Sequence, residues 1–278
     1  MNVKVMVMGA SGQLGREIRQ QFQGCYDLDA PGLDITDYPS VKDRISEINP
    51  SVVINTAAYT NVEKAEEEEL TAFQVNAIGA QNVAIACKRV GAKFVHISTD
   101  YIFDGTKSAP YEEFDSPHPL SVYGKSKLWG EKLVEAVGGE SFILRTSWLY
   151  GEGHNFVKTM LKLADERDKL SVVADQYGTP TYTKDLVWVI EKLMQTDFYG
   201  VYHASNNGSC SWYEFARKIF ELTGKTVKVE PVSSAEYPTK AERPRCSVME
   251  NKLLKLRGLD VMRPWEEALQ DYLENAVH

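Results

Sequence analysis

The chain has 278 residues, 43% of them hydrophobic and 25% charged, which places it among ordinary globular proteins and not among disordered, collagen-like or membrane-spanning ones. Lys and Arg number 31 against 39 Asp and Glu, a formal charge of −8, and this argues against a general nucleic-acid or acidic-membrane surface. At this length roughly three quarters of the unfolded chain's surface can leave water, enough for one large domain or two modest ones.

The opening MNVKVMVMGASG reads as a strand already inside the fold and not as a signal peptide. From there to about residue 150, short apolar runs at 3–9, 51–58, 93–99 and 141–151 alternate with helical stretches over 12–23, 40–48, 70–90 and 122–137. That alternation is what a parallel sheet with crossover helices requires, and the nearly continuous apolarity of the runs predicts a sheet covered on both faces. Pro39 and Ser40 open the second helix and Asn49-Pro50 closes it. The acidic run Glu66 to Glu69 reads as a solvated helix face in preference to a metal site.

Beyond residue 151 the rhythm loosens: helices over 155–167 and 184–194, a strand at 200–205, a helix over 211–222 with Ser211 and Glu214 as a capping box, a strand at 227–233 and a last helix from Pro264 to about Asn275. The expected architecture is α/β, a Rossmann-like doubly wound parallel sheet with a smaller C-terminal α+β substrate-binding region. Residues 1–150 form the dinucleotide-binding part, with some of 180–210 returning to it, and 151–278 mainly the substrate-binding part. Cys25, Cys87, Cys210 and Cys246 are widely spaced, with no CxxC pair, and read as buried free thiols of a cytoplasmic protein. No stretch approaches the ~20 apolar residues of a membrane span.

The first strand runs into GASGQLG, placing Gly9, Gly12 and Gly15 at a strand-to-helix turn. Glycines there allow a tight turn and close approach of backbone N–H groups to a pyrophosphate, and the helix N-terminus faces the phosphates with its positive dipole end. About 20 residues on, where an acidic group would meet the adenosine ribose, Asp27, Asp29, Asp34 and Asp37 are available, with Asp29 at the expected distance. No Arg or Lys lies between Gln23 and Val41, which tilts the reading toward NADH, while Arg16 could reach the 2′-phosphate of NADPH.

In YGKSK, Tyr123 and Lys127 are one helical turn apart on the same face. An unperturbed tyrosine, with a pKa of ~10, exchanges protons poorly at neutral pH, and a neighbouring cation would lower that value. Upstream, Ser98, Thr99 and Asp100 end a strand where doubly wound folds put their ligands, and a hydroxyl there can bond a substrate carbonyl. Either motif alone recurs by chance. Trp148, Asn155 and Phe156 after the fourth strand suit a sugar ring or a base, and Arg243 and Arg245 suit a diphosphate, although a core tryptophan and surface arginines explain the same residues.

The order GxxGxxG, NTAA, strand-end Ser/Thr and YxxxK resembles the extended short-chain dehydrogenase/reductases. STDYIFDG, SPHPLSVYGKSKLWGE, RTSWLYGEGHNFVKTML, DQYGTPTYTKDL and RPRCS are similar to the dTDP-4-dehydrorhamnose reductases within them. The resemblance spans nearly the whole chain and implies Thr99, Tyr123 and Lys127 as the catalytic set. Around NADPH or NADH it implies Gly9, Ser11, Gly12, Gln13, Leu14, Asp34, Ile35, Ala57, Ala58 and Tyr59 with Tyr123 and Lys127. Thr99, Asp100, Tyr101, Trp148, Asn155, Phe156 and Arg243 would face the substrate.

The reaction implied is reduction of a 4-keto sugar on a nucleoside diphosphate to dTDP-L-rhamnose, a precursor of cell-surface polysaccharide, with Tyr123 as proton donor, Thr99 orienting the carbonyl and Lys127 depressing the phenol's pKa. Some members dimerise around magnesium, and Glu17 matches one acidic position of that arrangement; the other ligands have no counterpart that can be placed, so magnesium stays a doubtful second cofactor, no metal ligand is assigned, and a monomer or homodimer is expected. Two alternatives share the fold: an epimerase or dehydratase acting on another nucleotide sugar, and a non-catalytic regulatory subunit. The absence of a Glu after Asp100 counts against a dehydratase, and the intact Tyr123 and Lys127 against a retired site.

Overall fold

The computed structural model describes residues 3–29 and 32–276. Six strands form one parallel sheet in the order Gly200–His203, Ser141–Thr146, Lys93–Thr99, Val52–Asn55, Val5–Met8, Tyr26–Leu28. Successive side chains of a strand point to opposite faces, and both faces are covered. Val5, Val7, Ile54, Val95 and Leu144 meet the helices Gln13–Gln21 and Thr183–Met194 on one side, and Met6, Met8, Val53, Phe94 and Ile143 meet Tyr38–Ile48 and Ala80–Val90 on the other. This is a doubly wound α/β fold. Its winding reverses between Val5–Met8 and Val52–Asn55, so the crevice for a ligand opens at the carboxyl ends of those strands.

The strand Gly200–His203 returns to the edge of this sheet beside Ser141–Thr146. The helices Phe156–Glu166, Trp212–Thr223 and Trp265–Ala276 pack with a parallel strand pair, Lys169–Val173 and Lys228–Val232, around Tyr150, Phe215, Trp265 and Tyr272. The capping box at Ser211 and Glu214 is formed.

Several details depart from the sequence reading. The strand Lys169–Val173 was not expected: only Leu170 and Val172 of it are buried, too short an alternation to stand out. The apolar run 141–151 is not one strand; Trp148 takes a left-handed conformation (φ 44°), and Leu149–Tyr150 leaves to pair with Thr181–Tyr182. The helical stretch 70–90 is split into Glu69–Phe73, a wide π turn at Gln74–Gly79 and Ala80–Val90. In that turn the Asn76 amide bonds both N and O of Tyr59 and the Ser126 hydroxyl, tying the helix to the end of the third strand and to the helix Val122–Val137.

The acidic run is not simply a solvated face. Glu66 accepts the Val122 N–H at 2.8 Å, Glu67 pairs with Lys240, and Glu68 accepts the Tyr59 hydroxyl. All four cysteines are unpaired; Cys87 and Cys210 are buried, Cys25 and Cys246 only half-buried.

Candidate active site

At the carboxyl end of the sheet a cleft of about 620 Å³ is lined by Gly12, Gln13, Leu14 and Ala58 on one wall and by Thr99, Tyr101, Tyr123 and Lys127 on its floor. Trp148, Trp212 and Arg243 line its outer part. Stretches far apart in the sequence therefore meet in one space.

The glycine turn is built for close approach. Gly9 has φ +78°, and a Cβ there would fall 2.6 Å from the Ala57 backbone nitrogen. Thr56 clamps the turn by donating to the carbonyls of Met8 and Gly9, and Ser11 N–H donates to Asp29 at 2.8 Å. Asp29, at the spacing read from the sequence, is thus the acid that reaches the loop. The helix Gln13–Gln21 starts at Gly12 with no side-chain cap and no acidic residue in its first turn, leaving its N–H groups for an anion. Gln13 Oε1 and Thr146 Oγ1 are buried without partners. An open helix start, a cramped glycine turn, small wall residues and orphaned polar atoms fit a dinucleotide. Arg16 donates to Ser11 O at 2.8 Å and pairs with Glu152.

The helix Val122–Val137 carries the tyrosine and lysine. Ser121 caps it by accepting the Gly124 N–H, and Glu66 takes the Val122 N–H. Gly124 lets this helix press on the end of the fourth strand, because a Cβ there would lie 2.2 Å from the Tyr101 carbonyl oxygen. Gly124→Ala is expected to move the helix start and reduce kcat/KM by about 10²-fold, since displacement of a reacting group by ~1 Å costs that much; steady-state kinetics at unchanged fold content by circular dichroism checks it.

Burial pushes the Tyr123 phenol up to about 12, with Thr99 beside it pulling down and Asp100 pushing up. Burial lowers Lys127 to about 8, and Glu131 holds it up. The lysine donates to the Ile97 carbonyl. The expected lowering of the phenol by Lys127 is not seen here: the lysine is turned to the strand backbone, and burial dominates the phenol. Asp100 lies beneath the floor, accepts the Thr99 hydroxyl and is raised to about 6 by burial. Tyr101 packs edge-on against Tyr123 with ring centroids 5.8 Å apart.

On the outer wall the Trp148 and Trp212 rings are stacked, centroids 3.5 Å apart. The left-handed backbone that ended the strand turns Trp148 into the cleft. Trp212, with Thr56, Thr60 and Thr146, was missed by the sequence reading; its signal was its place directly after the Ser211 cap. Phe156 sits one layer back, its ring 4.7 Å from that of Trp212.

Other expected residues do not line the cleft. Asn155 caps the helix Phe156–Glu166 by accepting the Lys158 N–H, and its amide group donates to Gly151 O and the Tyr272 hydroxyl, so no polar atom is left for a sugar. Asp34 is exposed and accepts the N–H and hydroxyl of Thr36 on one carboxylate oxygen, and Ile35 is buried in the core. Ala57 lies behind Gly9, Gly15 packs on the Gly9 carbonyl, and Tyr59 bonds Glu68. Glu17 is half-buried and accepts the Thr183 hydroxyl at 3.2 Å, and among the described residues no three His, Cys, Asp or Glu side chains gather as a metal site. No helix among them is long and apolar enough to cross a membrane.

The profile of the RmlD substrate binding domain matches residues 3–278. The chain belongs to that family. RmlD relatives of similar length include the spore coat polysaccharide biosynthesis protein SpsK of Bacillus subtilis, 45% identical over 98% of this chain and 97% of its own. The dTDP-4-dehydrorhamnose reductase of Aggregatibacter actinomycetemcomitans is 43% identical over 96% and 97%. Among solved RmlD structures, the dTDP-4-dehydrorhamnose reductase of Bacillus anthracis in complex with NADP superposes with a TM-score of 0.97 at 46% identity, covering 99% of this chain and 100% of that one. The chain accordingly shares its Rossmann-like fold with these reductases over nearly its whole length.

Proposed function

We propose that the protein reduces the 4-keto group of dTDP-4-dehydro-6-deoxy-L-mannose to give dTDP-L-rhamnose. The observation that carries this reading is the meeting, in one cleft, of an uncapped helix start, the Thr99, Tyr123 and Lys127 side chains, and a tryptophan and an arginine on the outer wall. Residues 1–150 with the returning 200–203 strand hold the dinucleotide, and 151–278 mainly hold the nucleotide sugar. Gly9, Ser11, Gly12, Gln13, Leu14 and Ala58 would seat the dinucleotide, which supplies the hydride when bound.

Tyr123, whose raised pKa of about 12 keeps it protonated at neutral pH, gives its proton to the oxygen of the former carbonyl. Thr99, once its hydroxyl turns from Asp100, donates a hydrogen bond that orients that carbonyl. Lys127, once it leaves the Ile97 carbonyl, offers a positive charge to the phenolate left behind and donors to ribose hydroxyls. Arg243 faces the diphosphate, and Trp148 the sugar or base. The enzyme works in the cytoplasm as a monomer or homodimer, in the supply of rhamnose for surface polysaccharide.

The test is to mix the protein with the 4-keto sugar nucleotide and NADPH, then NADH, and follow the reduced-nicotinamide absorbance. Steady consumption with a reduced sugar is the expected result. Sugar turnover without net consumption would instead identify an epimerase, and binding without turnover a regulatory subunit. The pH profile gives a second check. Lys127, at about 8, is charged below that pH and neutral above it, so kcat/KM is expected to fall as pH rises through about 8. A profile flat from pH 6 to 10 would remove the ammonium from the reaction.

A further inference from the structure

The helical turn Val62–Ala65 lies between the glycine wall of the cleft and the loop that carries Arg243. Its Glu63 is not an ordinary surface acid. One carboxylate oxygen accepts Arg243 Nη2 at 2.7 Å, and the other accepts the backbone N–H groups of Lys240 at 2.8 Å and Ala241 at 3.3 Å. These contacts hold the carboxyl below the usual range against the burial that pushes it up. Arg243 is thereby gripped on one edge. Its Nε is buried and has no partner, and the side chain lines the cleft. Three residues further on, Glu66 accepts the Val122 N–H that starts the helix bearing Tyr123.

We propose that Glu63 is a positioning residue for the diphosphate of the substrate: by fixing the Arg243 guanidinium and its loop, it holds a pre-set cation against the cleft for an anion and selects nucleoside diphosphates over neutral nucleosides. An unanchored arginine has many rotamers to lose when it binds; one already held by a carboxylate has lost them. The carboxylate also offsets part of the cation's charge, so two opposed effects are in play. Geometry outweighs charge here because the acceptor sites of Glu63 extend to two amides of the loop, and without them residues 240–243 have no tie to the cleft wall through this side chain. Glu67, paired with Lys240, adds a second tie from the same acidic run.

This inference rests on the proposed function for its choice of anion, and its test needs no turnover. Full-length wild type, Glu63→Gln, Arg243→Gln and the double variant are titrated calorimetrically with dTDP and with thymidine. Glutamine has a single acceptor oxygen, so it can take Arg243 or the two loop amides but not both groups at once. Glu63→Gln is expected to weaken dTDP about tenfold, as loss of a charge-assisted contact does, with thymidine affinity within about twofold. In steady state KM for the keto sugar nucleotide rises by the same factor and kcat stays within about threefold. The double variant binds dTDP no more weakly than Arg243→Gln alone, because Glu63 acts through the arginine. Unchanged or tighter dTDP binding by Glu63→Gln, equal losses for dTDP and thymidine, or fully additive losses in the double variant would overturn the proposal. Wild type that binds dTDP in a Glu63-dependent way but reduces no keto sugar would sink the proposed function and leave this inference standing; wild type that binds no dTDP would sink both.

Discussion

Tyr123→Phe is expected to lower kcat/KM for reduction of the keto sugar by about 10³-fold, the scale of a lost general acid, while NADPH affinity stays within about twofold. The phenol lies on the cleft floor beside Thr99, and the hydroxyl is the only atom the substitution removes. Steady-state kinetics and a separate cofactor titration measure the two quantities. Comparable loss of both would mean that the substitution disturbs the dinucleotide wall. An active phenylalanine variant would show that another group delivers the proton; the nearest acid, Asp100, is raised to about 6 but is buried beneath Thr99.

The second large effect concerns stability. Behind the floor, Glu131 and Arg145 form a buried pair: Arg145 Nη2 and Nε donate to Glu131 at 2.8 to 3.2 Å, with Ser98 bonding the same carboxylate. The two side chains are 2% and 6% exposed, so removing either charge leaves the other stranded in a low-dielectric interior. Glu131→Gln is expected to cost about 3–5 kcal/mol, read as a lowered urea midpoint at unchanged slope. Glu131 also holds up the charge of Lys127, one helical turn before it. In any folded Glu131→Gln the alkaline fall in kcat/KM should therefore start at lower pH than in wild type. An unchanged urea midpoint would mean that Arg145 finds a sufficient substitute partner; Glu113 O and the His203 ring, each at 3.4 Å, are the candidates at hand.

The elements most legible in the sequence were those whose signal is local. Four apolar runs and the Gly9 bend mark strands and the dinucleotide turn because burial on both faces demands continuous apolarity, and the turn demands a residue that tolerates positive φ. Tyr123 and Lys127 could be paired because helical spacing alone puts them on one face. What depended on distant partners was not legible. Asn155 looked like a sugar ligand because its cap and its bond to Tyr272, 117 positions away, exist only in the folded chain. The Glu66–Glu69 run looked solvated because Val122, Lys240 and Tyr59 lie far from it or offer no charge pattern. The acidity expected of Tyr123 failed for a similar reason: spacing places the lysine on the right face, but the competing Ile97 carbonyl and the desolvation of the floor belong to the sheet below.

A crystal structure of the protein with NADP and dTDP-L-rhamnose tests the central claim most directly. The Tyr123 hydroxyl is expected within about 3 Å of the sugar O4, with the Thr99 hydroxyl on the same oxygen and the nicotinamide C4 facing the sugar C4. An O4 resting against a different acid, with Tyr123 turned away from it, would contradict the account.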